Sequence, residues 1–67
     1  MTDDVSAISR RSHIAILDSG VVVPITNWLD GGGNECAPAD AVACVAGADA
    51  VGWFVVDLAK FDAVAVN

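Results

Sequence analysis

Basic side chains are nearly missing from this sequence: three Lys and Arg stand against nine Asp and Glu, for a formal net charge of −6. The shortage is uneven along the chain. In residues 1–12, Asp3 and Asp4 are balanced by Arg10 and Arg11, whereas in residues 13–67 the acids Asp18, Asp30, Glu35, Asp40, Asp49, Asp57 and Asp62 face Lys60 alone. A body of that sign repels phosphate backbones and anionic headgroups and attracts cations or basic protein surfaces. Direct binding of nucleic acid or of a membrane surface is therefore not expected.

Long apolar runs are missing too. The longest weakly charged run, residues 41–56, is interrupted by Asp49 and falls short of the roughly 20 residues that a membrane-spanning helix needs. The start, "MTDD", lacks the basic region and apolar stretch of a secretory signal, which predicts a cytoplasmic location. Cysteine is scarce: Cys36 and Cys44 form no CxxC and have no second Cys or His pair beside them. In a reducing compartment both are expected as free thiols, with Cys44 buried as a small apolar residue. The only histidine, His13, has no acid and base arranged by a local signature around Ser12, Ser19, Thr26 or the thiols. No catalytic triad is legible, and the chain reads as non-enzymatic, without cofactor or metal.

Glycine is concentrated in one place, "WLDGGGNEC", residues 28–36. A phosphate loop needs GxxxxGK[ST], and neither the lysine nor the hydroxyl is there. A dinucleotide loop needs spaced glycines opening a helix, whereas Gly31, Gly32 and Gly33 are consecutive and lie between Asp30 and Glu35, whose charges repel a pyrophosphate. Asp30, Asn34 and Glu35 supply oxygens but not the alternating spacing of a calcium loop. The stretch is expected to be a flexible connector.

What the chain does have is aliphatic character: hydrophobic residues make up 55% of its 67 residues. That is enough to offset ordering entropy, and the length allows one domain. Large side chains are few, which leaves a homodimer open as a further source of burial. Residues 1–12 are expected as a mobile N-terminal arm and residues 13–67 as a single small acidic domain. "HIAILD" and "VVVPIT" predict two strands joined by Asp18, Ser19 and Gly20, with Gly20 in the left-handed position and Pro24 marking a strand edge or a bulge. "WFVVDL" predicts a strand with Phe54, Val56 and Leu58 on one face and Trp53, Val55 and Asp57 on the other. Residues 38–46 fit either a short helix begun by Pro38 or a strand. The strand, at residues 41–46, is preferred because it pairs with residues 53–58 through the turn "ADAVG". With a short strand at residues 64–66, the fold class is mainly β: a small antiparallel meander of four to five strands, curled toward a half-open barrel. The alternative is α+β with a helix at residues 38–46.

Most of the acids fall in expected turns, where Asp is favoured for local hydrogen bonding alone. The alternative is that separate turns gather Asp30, Glu35, Asp40, Asp49, Asp57 and Asp62 into one face that occupies a cationic channel in place of phosphates, which recur on DNA every ~3.4 Å per strand. Trp28 and Trp53 close the core, or one of them is an exposed anchor among carboxylates. The pattern "VVVPITNWLDGGGNECAPADAVACVAG…GWFVVDL", within residues 13–62, resembles the small acidic proteins of phages and mobile elements, among them inhibitors of type I CRISPR systems. The resemblance implies an inhibitor in the bacterial host's cytoplasm that covers the basic surface of a nucleic-acid-binding complex. The contact residues are inferred from charge. The other function consistent with the sequence is a structural or assembly module of a phage or bacterial particle, acting through an apolar sheet face.

Overall fold

The computed structural model describes residues 4–61. Five strands, β1 (Val5–Ser9), β2 (Ile14–Leu17), β3 (Val22–Leu29), β4 (Ala43–Ala48) and β5 (Gly52–Asp57), form one antiparallel sheet in sequence order. It curls into a half-barrel. Two short 3-10 turns, Pro38–Asp40 and Leu58–Phe61, complete the described elements. The mainly β meander is thus the fold: the strand preferred at residues 41–46 forms as Ala43–Ala48, and in place of the alternative helix over 38–46 there is only the 3-10 turn that Pro38 opens. The strand expected at residues 64–66 lies outside the described residues.

Residues 5–9, assigned to an arm by the sequence reading, are instead strand β1, with Val5, Ile8 and Ser9 buried. The reason is a bulge. Val5 lies opposite Leu17 and Ala7 opposite Ile16, so Ser6 is an extra residue in the ladder. Inward positions are therefore three apart, and the two-residue alternation that marks a strand is hidden. The Ser6 hydroxyl donates to the Ile16 carbonyl at 3.1 Å.

Strand β3 carries the second bulge and organises the sheet. Its first half pairs with β2 (Ile16↔Val22, Ile14↔Pro24) and its second with β4 (Ile25↔Ala46, Leu29↔Ala43). Pro24 lies where β4 has not yet begun to pair, so its missing amide breaks no ladder bond, as the expected strand edge requires. Between Ile25 and Asn27 the register shifts, and Thr26 is the extra residue. Without it Asn27 would follow Val23 and Ile25 inward; with it Trp28 turns in and is only 6% exposed. The Thr26 hydroxyl donates to the Asn27 side-chain oxygen at 2.9 Å, with the Val45 carbonyl further off at 3.4 Å.

The regular ladders follow the sequence closely. Ala15 and Leu17 face the core from β2, and Gly20 takes φ +89° in the β2–β3 turn, a conformation that costs glycine little. Val56 and Leu58 are buried with half-buried Phe54 packed beside them, while Trp53, Val55 and Asp57 face outward. Cys44, fully buried opposite Val56, behaves as the small apolar residue expected of it.

Gly47 is opposite Trp53 at φ +154°, and a Cβ there would lie 2.3 Å from the Gly52 carbonyl oxygen and 2.8 Å from Trp53 Cα. The indole of Trp53 lies across the bare glycine, since its ring is the next atom such a Cβ would meet. Gly47→Ala is expected to destabilise the protein by at least about 2 kcal/mol, because backbone atoms must move. Gly31→Ala, with open space around it, should cost far less. Denaturant unfolding of the two variants beside the parent protein checks the contrast.

Candidate interaction surface

An antiparallel meander sends alternate connections to opposite ends. The β1–β2 turn and the β3–β4 connection share one end; the β2–β3 and β4–β5 turns share the other. The expected site residues are divided accordingly. Asp30, Glu35 and Asp40 sit on the β3–β4 connection, at the end that also holds Arg10 and Arg11. Asp57 lines a cavity of about 210 Å³ with Arg10, Val42 and Leu58 at that same end. Asp49 is at the opposite end, with Asp18, whose amide donates to the Asp4 carbonyl at 2.9 Å. Asp62 lies outside the described residues. The acids thus form two groups, and the arginines stand within the one that holds more of the expected site.

The glycine stretch is an ordered turn rather than a flexible connector. The Asp30 carboxylate accepts from the amides of Gly32 at 2.9 Å and Asn34 at 3.0 Å, and the Asp30 amide donates to the Asn34 carbonyl at 2.8 Å. The amides of Gly32 and Asn34 are thus bonded to an internal carboxylate rather than open to a phosphate. The chain then returns beside β3: Leu29 pairs with Glu35, and the Cys36 amide donates to the Trp28 carbonyl. Since the adjacent Leu29 carbonyl accepts from Val42, and successive carbonyls point to opposite sides of a strand, residues 35–36 lie on the edge of β3 away from β4. Asn27 donates its side-chain amide to Glu35. Among the described residues, no group of three or more His, Cys, Asp or Glu side chains is arranged to hold a metal ion.

Arg10, assigned by the sequence reading to the arm, ties this end together. Its guanidinium donates to the Pro38 carbonyl and lies 5.9 Å from the centroid of the Trp28 ring. The Trp28 indole N–H donates to His13 Nδ1 at 3.2 Å, and the two rings meet edge to face. His13 holds φ +56°, in the left-handed region. Its Nδ1 lone pair is occupied in fixing a buried tryptophan, a structural task.

The two tryptophans therefore part ways. Trp28 closes the core, while Trp53 is 54% exposed on the outer face of β5. Val55 beside it is 77% exposed and pairs with half-buried Val45; Asp57, on the same face, pairs with Ala43. Asp49 precedes the strand in the β4–β5 turn. The result is an apolar patch with a carboxylate before it and another at its far end. Apolar exposure continues on the other half of the sheet, where Ile16 pairs with Val22 and Val22 is 54% exposed. Among the described residues, no helix is long and apolar enough to cross a membrane. In comparisons with known proteins, no family model, curated protein or solved structure matches the chain.

Two electrostatic consequences follow at the arginine-bearing end. The amides of Asn34 and Gly32 hold the Asp30 carboxyl below its ordinary value of 3.8. A depressed folded-state pKa contributes stability that is present above the unfolded value and is lost as pH falls through the folded one. Parent protein should therefore exceed Asp30→Asn in stability at neutral pH, and the difference should shrink as pH falls below 3.8, as read from unfolding midpoints across an acid series. The Cys36 thiol is raised by desolvation and then by the charges of Asp30 and Asp40, and the Cys44 thiol by burial. Half-buried Cys36 should react with iodoacetamide slowly near neutrality and faster at alkaline pH, while Cys44 should react only on unfolding. Mass spectrometry of the alkylated chain distinguishes the two.

Proposed function

We propose that the chain acts by binding, without catalysis, to a basic protein surface, with Trp53 as the apolar anchor and Asp49 and Asp57 as the flanking charges. The observation that carries this reading is the exposure of Trp53 on β5, pinned over Gly47 and followed on the same face by Val55 and Asp57. A large aromatic already held in place loses little freedom on binding, and tryptophan is among the side chains that dominate interface energies. The charge of −6 favours a partner whose surface is basic around an apolar centre, and steers the encounter.

Proteins that handle nucleic acid present basic surfaces of this kind. Occupying one would make the chain an inhibitor that keeps nucleic acid out, and the DNA-receiving surface of a type I CRISPR surveillance complex is the instance implied by the resemblance. The acids that serve this reading are those around β5. The loop acids Asp30, Glu35 and Asp40 sit on the β3–β4 connection, outside the face that carries Trp53, Val55 and Asp57, and make a weaker contribution.

A second reading, an assembly module, is supported by the apolar character of the outer face on both halves of the sheet, at Val22 as well as at Trp53 and Val55. It requires self-association that is insensitive to salt.

The test is competition between the chain and target DNA for an isolated type I surveillance complex across a salt series. Trp53→Ala should lose about 2 kcal/mol of binding, a roughly 30-fold rise in Kd. Asp49→Asn with Asp57→Asn should slow association and flatten the salt dependence. No competition, together with concentration-dependent and salt-independent self-association of the chain alone, would favour the assembly module.

A further inference from the structure

We propose that the free edge of β5 takes up an extended, basic peptide segment as an added strand. The proposal rests on the reading of the chain as a protein-binding module and names how a partner would engage it. Among the described residues, strand β5 is the last in the sheet and is hydrogen-bonded on one side only. All six of its residues lie opposite β4 in unbroken register, from Ala48↔Gly52 to Ala43↔Asp57. It contains no proline, lysine or bulge, which are the common means of protecting an edge. Strand β1, at the other edge, has its bulge at Ser6.

The direction of the free backbone groups follows from one hydrogen bond. The Leu58 amide donates to the Val42 carbonyl at 3.0 Å, on the β4 side. Backbone groups point the same way at every second residue, so those of Val56 and Phe54 also face β4. Those of Trp53, Val55 and Asp57 face outward from the sheet edge. Along this edge runs a groove of about 260 Å³. Four consecutive β5 residues, Phe54, Val55, Val56 and Asp57, line it, as expected of a groove that follows a strand's backbone rather than one of its faces. Its opposite wall is Asp4 and Val5, and Lys60 also reaches it.

The groove's chemistry selects the occupant. Val5, Phe54 and Val56 are apolar, and exposed Asp4 and Asp57 are anionic on opposite walls, with Lys60 as the one cation. An added strand presents alternate side chains to its two faces. A segment that alternates apolar and basic residues, without proline, satisfies the apolar floor, the two carboxylates and the open backbone groups together. A second copy is disfavoured, because each would bring a net charge of −6.

The experiment uses the full chain and a synthetic capped peptide of alternating valine and lysine, with a valine–glutamate peptide as control. Binding of the lysine peptide should protect the amides of Trp53, Val55 and Asp57 from hydrogen exchange and weaken with salt, and the glutamate peptide should not bind. Val55→Pro removes an amide that serves no β4 bond; it should keep the fold and weaken binding at least tenfold. Asp57→Asn, which leaves the backbone untouched, should weaken binding about threefold. Failure of the lysine peptide to protect these amides, or full binding by Val55→Pro, would overturn strand addition. So would protection of the same amides in the chain alone as its concentration rises, which would mean pairing between copies. Edge addition fails by itself if Val55→Pro still binds the peptide while Trp53→Ala loses the competition with DNA, because the Trp53 face would then remain the interface.

Discussion

The sheet depends on a single long strand serving two ladders in succession. Strand β3 has eight residues, against four in β2 and six in β4, and it passes from one partner to the other between Pro24 and Ile25. A side chain in a strand has only two directions to choose from, so a chain that changes partners must also correct which side faces in. The extra residue Thr26 makes that correction and delivers Trp28 to the interior. Everything at that end leans on Trp28: His13 accepts its N–H, Arg10 covers its ring, and Cys36 returns to its carbonyl.

The sequence was readable where the ladder is regular. Strands β2 and β5 alternate cleanly, and the glycines at 20 and 52 mark turns by the positive φ that they take. Legibility failed at the two bulges. In β1 the buried Val5 and Ile8 stand three apart, a spacing that in a polar stretch suggests no strand at all. In β3 the interruption fell between two apolar runs and left the inward turn of Trp28 without a local signal. The glycine-rich stretch misled differently: three glycines suggest freedom, but a carboxylate two residues from the nearest amide it bonds can tie such a loop.

The interaction surface was legible as a choice rather than an answer. Composition says that the body is anionic, but only topology says that its turns open to opposite ends. The two arginines, set apart with the arm in a linear reading, fold into the group of carboxylates that seemed most concentrated. Conversely, the two tryptophans end in opposite environments, because the Thr26 bulge turns Trp28 inward while the alternation of β5 turns Trp53 outward, opposite Gly47. The absent Cβ leaves room for the Trp53 ring to approach Gly47, a cross-strand arrangement in which an aromatic covers a glycine.

The described sheet has two edges, β1 and β5, with a groove between them. In a cylinder whose strands bond all the way round, circumference is fixed by strand number and stagger. Here the wall is interrupted, so a change of girth needs only a change in how tightly the sheet coils, with every existing ladder bond kept. Compliance is thus concentrated along a single seam, and guests of differing bulk could be admitted there without loosening the side that houses Trp28.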